Sequence, residues 1–323
     1  MHNYKETMKQ PVIILIPVYN DMASLDMLIR NLETVLAGQS GTQYALLIVD
    51  DGSVTTLQMP ASKLFTIHIL HLHRNIGHQK AIAVGLAHIH DNIPCESVLV
   101  MDGDGEDKPE DALALLKASA IEKDKIIFAK RKARQEGVGF RIFYIFYKIL
   151  FRWLTGKKIA FGNFMVLPKD KLNKLVHYSE IWSHLSAGII KSKLSFTTIP
   201  ANRGKRYADS SKMNFTSLVL HGLGAIAVFL EQVASRLLVL SFTLILAAIL
   251  VILIIIGIRY FTDLAIPGWA STIMSSMLIV LLQGFLLSLF TIFLFLSSQS
   301  QRKFIPAFHY KEYTASTETI PHA

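Results

Sequence analysis

The sequence predicts an α/β protein: an open, parallel sheet domain followed by a C-terminal transmembrane helical hairpin. Three observations carry that prediction. Short apolar runs alternate with stretches of helical periodicity, the pattern of parallel strands joined by right-handed crossovers. Successive runs end in polar residues able to bind a ligand, and open α/β sheets bind ligands beyond the carboxyl ends of their strands. Two uncharged runs near the end of the chain, between Arg236 and Arg259 and from Leu264 to Gln301, can each hold a spanning helix of about 20 residues.

The elements follow in order. Pro11–Val18 is a continuous apolar run, read as a buried strand that stops at Tyr19-Asn20-Asp21. Its length is too short for a secretory apolar segment with a cleavage site, so a first strand is expected in place of a signal peptide. Leu25, Leu28, Ile29, Leu32 and Val35 then recur at helical spacing. Tyr44–Val49 is a second strand, ending in Asp50-Asp51-Gly52-Ser53. Phe65–Leu72 is a third, followed by His73-Arg74-Asn75-Ile76-Gly77-His78-Gln79-Lys80 and a small-residue helix through Ala87.

The fourth strand, from Ser97, empties into Asp102-Gly103-Asp104-Gly105-Glu106-Asp107. Asp102, Asp104 and Glu106 are hard oxygen donors suited to Mg²⁺ or Mn²⁺ carrying a diphosphate. Gly103 and Gly105 permit the tight path that would bring alternate carboxylates toward one ion. Taken alone, the stretch fits an acidic turn ahead of the helix at Pro109-Glu110-Asp111 equally well.

Composition narrows the partners. Apolar residues make up 51% of the chain and the net charge is +9, which excludes a disordered chain and suggests membrane contact. Between Lys117 and Lys158 there are 12 Lys/Arg and 3 Asp/Glu, so the whole excess is concentrated there. Such a segment implies an anionic partner. Cys95 is the only cysteine, which excludes an internal disulfide and fits a reducing compartment.

The set Pro17-Val18-Tyr19-Asn20, Val49-Asp50-Asp51-Gly52-Ser53, Asn75-Ile76-Gly77-His78-Gln79 and Asp102-Gly103-Asp104 resembles the inverting family 2 glycosyltransferases, in order and in spacing. The resemblance implies a GT-A (Rossmann-like) nucleotide-sugar-binding domain. It implies that Asp50 and Asp51 hold the nucleobase and ribose, and that Asp102 and Asp104 bind a metal bridging the donor diphosphate. Pro17, Tyr19, Asp21, Gly77, Gln79 and Gly103 complete the expected donor site. Asp21 is a departure, since many relatives carry Glu there.

Lys125–Ala129 reads as a further strand, with Lys130-Arg131-Lys132-Ala133-Arg134 after it. Most of these cations are expected to be solvated, and Arg131 is the candidate for a phosphate contact. From Gly139 to Gly156, Arg141, Tyr144, Lys148 and Arg152 fall on one helical face, while Phe143, Phe146, Tyr147, Leu150 and Trp153 line much of the rest. A basic, aromatic-rich helix of this kind, over about 140–156, suits the surface of an anionic bilayer. A strand at Leu194–Ile199 precedes Asn202-Arg203-Gly204-Lys205-Arg206-Tyr207-Ala208-Asp209-Ser210-Ser211-Lys212. This resembles the Arg-x-x-Gly-x-Ser-Lys segment of polyprenyl-phosphate glycosyltransferases such as dolichyl-phosphate mannose synthase. Arg206, Ser211 and Lys212 match, and Asp209 stands where glycine is usual. The resemblance implies that Arg206, Ser211 and Lys212 hold an acceptor phosphate.

The expected organisation is a catalytic domain over 1–212, a juxtamembrane helix over 213–234, two spans at about 237–258 and 273–296 within 235–301, and a polar tail over 302–323. Arg236, Arg302, Lys303 and Lys311 flank the outside of the hairpin against Arg259 in its loop, so the catalytic domain and both termini are expected in the cytoplasm, on the inner membrane.

The resulting expectation is a metal-dependent, inverting transferase that moves a sugar from a UDP- or GDP-linked donor to undecaprenyl or dolichyl phosphate, with homo-oligomerisation left open. Two rivals belong to other classes: a processive polysaccharide synthase, and a non-catalytic nucleotide-sugar sensor or scaffold. The first usually carries Gln-x-x-Arg-Trp, whereas Ile149 stands in the glutamine position ahead of Arg152-Trp153. Intact carboxylates speak against the second. No Gly-x-Gly-x-x-Gly follows the first strand, which disfavours dinucleotide binding. Basic residues interleaved with a membrane-type apolar face disfavour nucleic acid.

Overall fold

Every residue of the first strand is buried, because both faces of the sheet are covered. The computed structural model describes residues 10–39, 41–55, 61–131, 138–158, 161–207, 215–262, 268–301 and 303–323. It divides into two compact units.

The first unit comprises residues 1–137, 159–228 and 304–323. It holds strands β1 (Val12–Val18), β2 (Tyr44–Asp50), β3 (Phe65–Leu72), β4 (Ser97–Val100) and β5 (Ile126–Arg131). These alternate with helices α1 (Met22–Leu36), α2 (His78–Asn92) and α3 (Pro109–Ile121). The second unit begins with α4 (Val138–Thr155). The chain then returns to the first unit as β6 (Met165–Pro168), α5 (Lys169–Leu175), α6 (Leu185–Ser192), β7 (Phe196–Ala201) and α7 (Phe215–Ala227). Helices α8 (Leu230–Phe261) and α9 (Trp269–Ser300) belong to the second unit. A short α10 (Pro306–His309) and strand β8 (Thr314–Ile320) end the first.

The eight-stranded sheet has the order β7-β5-β6-β4-β1-β2-β3-β8. Pairings β1–β2, β2–β3, β1–β4 and β5–β7 are parallel, as the alternation of strands and helices predicts. The sheet is nevertheless mixed, since β6 runs antiparallel to β4 and β5, and β8 runs antiparallel to β3. The chain leaves β5 at the carboxyl edge and re-enters β6 at that same edge, where Ala129 N donates to Phe164 O at 2.9 Å, so β6 must run backwards.

Alternation along the strands feeds two cores. Ile13, Leu15, Leu47 and Val49 face α2, whose Ala81, Ile82, Val84 and Leu86 are buried. Ile14, Ile16, Leu46 and Ile48 face α1 and α3 through Leu25, Leu28, Leu32, Ala112 and Leu115. Continuous apolar strands are what burial on both faces requires. β8 is the opposite case, a largely exposed Thr-Ala-Ser-Thr-Glu-Thr-Ile that covers the β3 edge. The polar tail is therefore part of the sheet. Its approach is anchored by Tyr310, 2% exposed, whose hydroxyl accepts from Asn92 Nδ2 at 2.9 Å, and by Phe304 packed 3.8 Å from the Trp182 ring.

In the second unit, α8 and α9 are 32 residues each, and both are long and apolar enough to cross a membrane. They pack together: a Cβ on Gly284 of α9 would lie 3.1 Å from Ile245 of α8. Only 17% and 11% of their most apolar windows are buried, unlike the core helix of a soluble protein. Helix α4 belongs with these helices, not with the sheet domain as expected from the sequence. Phe151 packs edge-on to Phe229 at 6.0 Å, and Arg236 donates to the carbonyls of Arg152 and Trp153, satisfying the end of α4. Tyr144, Ile145, Phe146, Ile149 and Trp153 remain exposed along it.

Candidate active site

Five strand ends and the segment after β7 converge at the carboxyl edge of the sheet. β1 delivers Pro17, buried and opposite Val49, then the exposed Tyr19. Asn20 takes a left-handed φ of 49°. Its N–H donates to Ser53 Oγ at 2.9 Å, and its side-chain oxygen accepts from Val54 N at 2.9 Å. The β1 and β2 ends are thereby stapled together. Asp21, expected in the donor site, caps α1 by accepting from Ser24 N at 3.4 Å.

At the end of β2 the two aspartates do different work. Asp50 is buried, its Oδ1 accepting from Ser53 N at 2.9 Å and its Oδ2 facing His71 Nδ1 at 2.9 Å. Asp51 holds the next loop, accepting from Ile76 N at 2.8 Å and Gly77 N at 3.0 Å. Burial pushes its pKa up, against the pull of those two amides. Gly52 has φ +72°, and a Cβ there would strike the Arg74–Asn75 backbone, so only glycine fits. Gly77, at φ +93°, opens α2. Gln79 uses its Oε1 to accept from Leu185 N at 2.9 Å, while its buried Nε2 has no hydrogen-bond partner.

The acidic loop after β4 is saturated with cations. Asp102 Oδ1 lies 3.1 Å from His78 Nε2 and its Oδ2 3.5 Å from Arg131. Burial works against the Asp102 charge, yet His78 and Arg131 hold its pKa well below the usual carboxylate range. Asp107, 1% exposed, pairs with Arg131 and accepts from Asp102 N at 2.9 Å. Burial and the neighbouring Asp102 push Asp107 upward. Asp104 accepts from Glu106 N at 3.0 Å and meets Arg206 at 3.0 Å. Its pKa is raised, chiefly by burial. Gly103 sits against Ile16, where a Cβ would approach to 3.2 Å.

Glu106 departs from expectation. Its carboxylate pairs with Arg203 and accepts from Arg206 Nε at 3.0 Å, with Arg131 at 3.8 Å. Burial opposes its charge, and the two arginine hydrogen bonds outweigh that and lower its pKa. Both Glu106 carboxylate oxygens are thus taken up by arginines. Among the described residues, no group of three His, Cys, Asp or Glu side chains is arranged to hold a metal ion. The two aspartates do suit a hard cation: Asp102 Oδ1 is buried with the His78 ring, 3.1 Å away, as its one neighbour of opposite character, and Mg²⁺ commonly takes one or two carboxylates plus substrate phosphates. Asp102 and Asp104 thus fit Mg²⁺ or Mn²⁺, while Glu106, expected beside them, is held by Arg203 and Arg206.

The arginines reach this loop because the segment after β7 pairs with it. Gly204 N donates to Glu106 O at 2.8 Å and Tyr207 N to Asp104 O at 3.0 Å. The Tyr207 ring covers Gly105, which has φ +86°. Arg131 and Arg206, the described members of the expected acceptor set, are therefore brought together with the expected metal carboxylates. Ser211 and Lys212, with Asp209, lie outside the described residues.

Three residues join this cluster that were not singled out for it: His78, Asp107 and Arg203. His78 stands inside the Asn75–Gln79 motif, but only the fold puts it against Asp102. Asp107 adjoins the acidic stretch, and its burial is invisible in a charged run.

The sequence pattern of Glycosyl transferase family 2 matches residues 13–176. The undecaprenyl-phosphate 4-deoxy-4-formamido-L-arabinose transferases of Salmonella paratyphi B and Salmonella newport are each 27% identical over 219 residues, 64% of this chain. The chain spans 64% of the length of those relatives. Among solved structures, glucosyl-3-phosphoglycerate synthase from Mycobacterium tuberculosis is similar at a TM-score of 0.48 and 14% identity. That match covers 69% of this chain and 80% of the synthase chain.

Proposed function

The chain belongs to glycosyl transferase family 2, and we propose that it transfers a sugar from a UDP- or GDP-linked donor to a polyprenyl phosphate, with inversion at the anomeric carbon. The observation that carries this reading is the interlock of the 104–106 loop with the 204–207 segment. It sets anion-binding arginines beside carboxylates suited to a cation, as a reaction between two phosphate-bearing substrates demands. The acceptor named for the Salmonella relatives, undecaprenyl phosphate, supports the choice of lipid.

In this mechanism Asp50 and Asp51 lie on the donor side and the carboxylates after β4 face the diphosphate. Asp102 and Asp104 would hold Mg²⁺ or Mn²⁺, which when bound offsets charge developing on the leaving diphosphate. Arg206 and Arg131, with Lys212 and Ser211, receive the acceptor phosphate. A phosphomonoester has a second pKa of about 6 and is mostly ionised at neutral pH. Its oxygen forms the bond to the anomeric carbon as the bond to the donor diphosphate oxygen breaks, and the electron pair departs with the nucleoside diphosphate. No proton needs to be removed, so no side chain is assigned as a general base.

The proposed site of action is the cytoplasmic face of the inner membrane, with α8 and α9 as the two spans. Pairing of β8 with β3 supports an even number of crossings, because the chain must come back to the side where the sheet lies. Helix α7, at 13 residues, is too short for a third span, reaching about 20 Å at 1.5 Å per residue.

The test is incubation of the full chain in detergent with a panel of nucleotide sugars and polyprenyl phosphate, with lipid products resolved by mass spectrometry. A product heavier than the lipid by one sugar is expected. Transfer to soluble acceptors only, with no lipid product from any donor, would overturn the acceptor assignment.

A further inference from the structure

The C-terminal strand touches the donor side of the sheet through one histidine. Asp50 of β2 stands opposite His71 of β3, and Ile69 of β3 stands opposite Glu318 of β8. Alternation puts Asp50, His71 and Glu318 on one face, with Glu318 diagonal to His71. His71 Nδ1 lies 2.9 Å from Asp50 Oδ2, and His71 Nε2 lies 3.6 Å from Glu318 Oε1. That Nε2 is buried and has no hydrogen-bond partner. Leaving a buried ring nitrogen unpaired is costly; both flanking carboxylates can only accept, so the ring bridges them by donating from each nitrogen, and a small shift of the exposed Glu318 closes the gap.

We infer that Glu318 is a positioning residue for donor binding, holding the His71 ring that orients the Asp50 carboxylate. The inference rests on the reading of Asp50 as a donor-binding residue. With Ser53 N on one oxygen and His71 on the other, Asp50 is held at both ends, and its remaining lone pairs keep a fixed direction for hydroxyl or N–H donors of a nucleoside. Glu318 is the single charged residue of β8, a strand that needs no charge to stay seated. The β3 ladder, the contact of Thr319 Oγ1 with His68 Nδ1 at 3.1 Å, and the bond from Ala323 N to Ser62 O at 2.8 Å hold it independently. The tail is thus part of the donor site as well as a cover for the sheet edge.

The experiment compares the full chain with Glu318→Ala, Glu318→Gln, His71→Phe, the Glu318→Ala/His71→Phe double variant and Asp50→Asn. UDP and GDP binding is measured by calorimetry, and donor and acceptor KM separately by lipid-product assay. Glu318→Ala is expected to weaken nucleotide binding and raise donor KM about two- to tenfold, the size of one hydrogen bond. Acceptor KM, kcat and Tm should stay at wild-type values. Glu318→Gln, which keeps an oxygen acceptor, should recover part of the loss, and Glu318→Ala should add nothing once His71 is Phe. If Asp50→Asn weakens nucleotide binding while Glu318→Ala does not, or if the Glu318 effect persists in the His71→Phe background, the positioning role is overturned. A fall in Tm with all kinetic constants shifted together would also overturn it, as a purely structural effect. Unchanged nucleotide binding in Asp50→Asn would instead remove the donor-site reading, and this inference with it.

Discussion

Glu106 accepts a hydrogen bond from Arg206 Nε at 3.0 Å, and Arg206 in turn lies 3.0 Å from Asp104. One arginine thereby bridges two carboxylates that alternate along the acidic loop.

The first prediction concerns metal. EDTA is expected to abolish transfer, and Mg²⁺ or Mn²⁺ to restore it. Asp104→Asn should weaken Mn²⁺ binding by tenfold or more, since even outer-shell changes cost about 10–100-fold. Glu106→Gln should leave Mn²⁺ affinity near wild type and raise acceptor KM by loosening Arg203 and Arg206. Titration of Mn²⁺ by electron paramagnetic resonance separates the two variants, and equal losses would return Glu106 to the metal site.

Arg206 is expected to serve the acceptor. A hydrogen bond to a charged group contributes about 1.5–3 kcal/mol, so Arg206→Ala should lower acceptor kcat/KM roughly tenfold or more. Arg206→Lys should recover only part, because an ammonium lacks the planar guanidinium fork. Nucleotide binding measured without lipid should hardly change. If it falls while acceptor KM stays constant, Arg206 belongs to the donor diphosphate.

Topology can be read by protease protection. Tags at the N-terminus and after Ala323 are expected to be shielded in intact cells, and a tag inserted after Pro267 to be cut. A cleaved C-terminal tag is incompatible with β8 seated on β3 in the same compartment as the sheet.

His184 should make the sheet domain sensitive to acid. It is buried at the start of α6, where Nδ1 accepts from Ala187 N at 3.3 Å. Burial, with His221 4.5 Å away, pushes its pKa down to about 3 from the ordinary 6.5. The unfolded chain then binds the extra proton first, so the stability this group allows is complete above pH 6.5 and is lost as pH falls toward about 3. His184→Asn keeps a capping oxygen and removes the titration. The variant should show a flatter dependence of Tm on pH over that window, and an unchanged slope would count against the burial argument.

The sequence by itself determined the strands with continuous apolar runs and the polar residues that end them. Val12–Val18 and Tyr44–Val49 lie between helices on both faces, so their burial is written in composition. Asp50 and Asp102 are legible for the same reason, as the first carboxylates after such runs, and Asp104 follows two positions on. The two long helices were equally plain, since an uncharged stretch of more than 20 residues has few other uses. Only the tertiary structure decided the rest. β8 is polar and exposed, and its place beside β3 depends on edge hydrogen bonding that leaves no hydrophobic period. Glu106 turned to the arginines because the 203–207 segment, remote in the chain, pairs with the 104–107 loop through backbone bonds that are blind to side-chain identity. The His71 link between Asp50 and Glu318 is set by register across three strands, and register is a property of the assembled sheet, absent from any one of its segments.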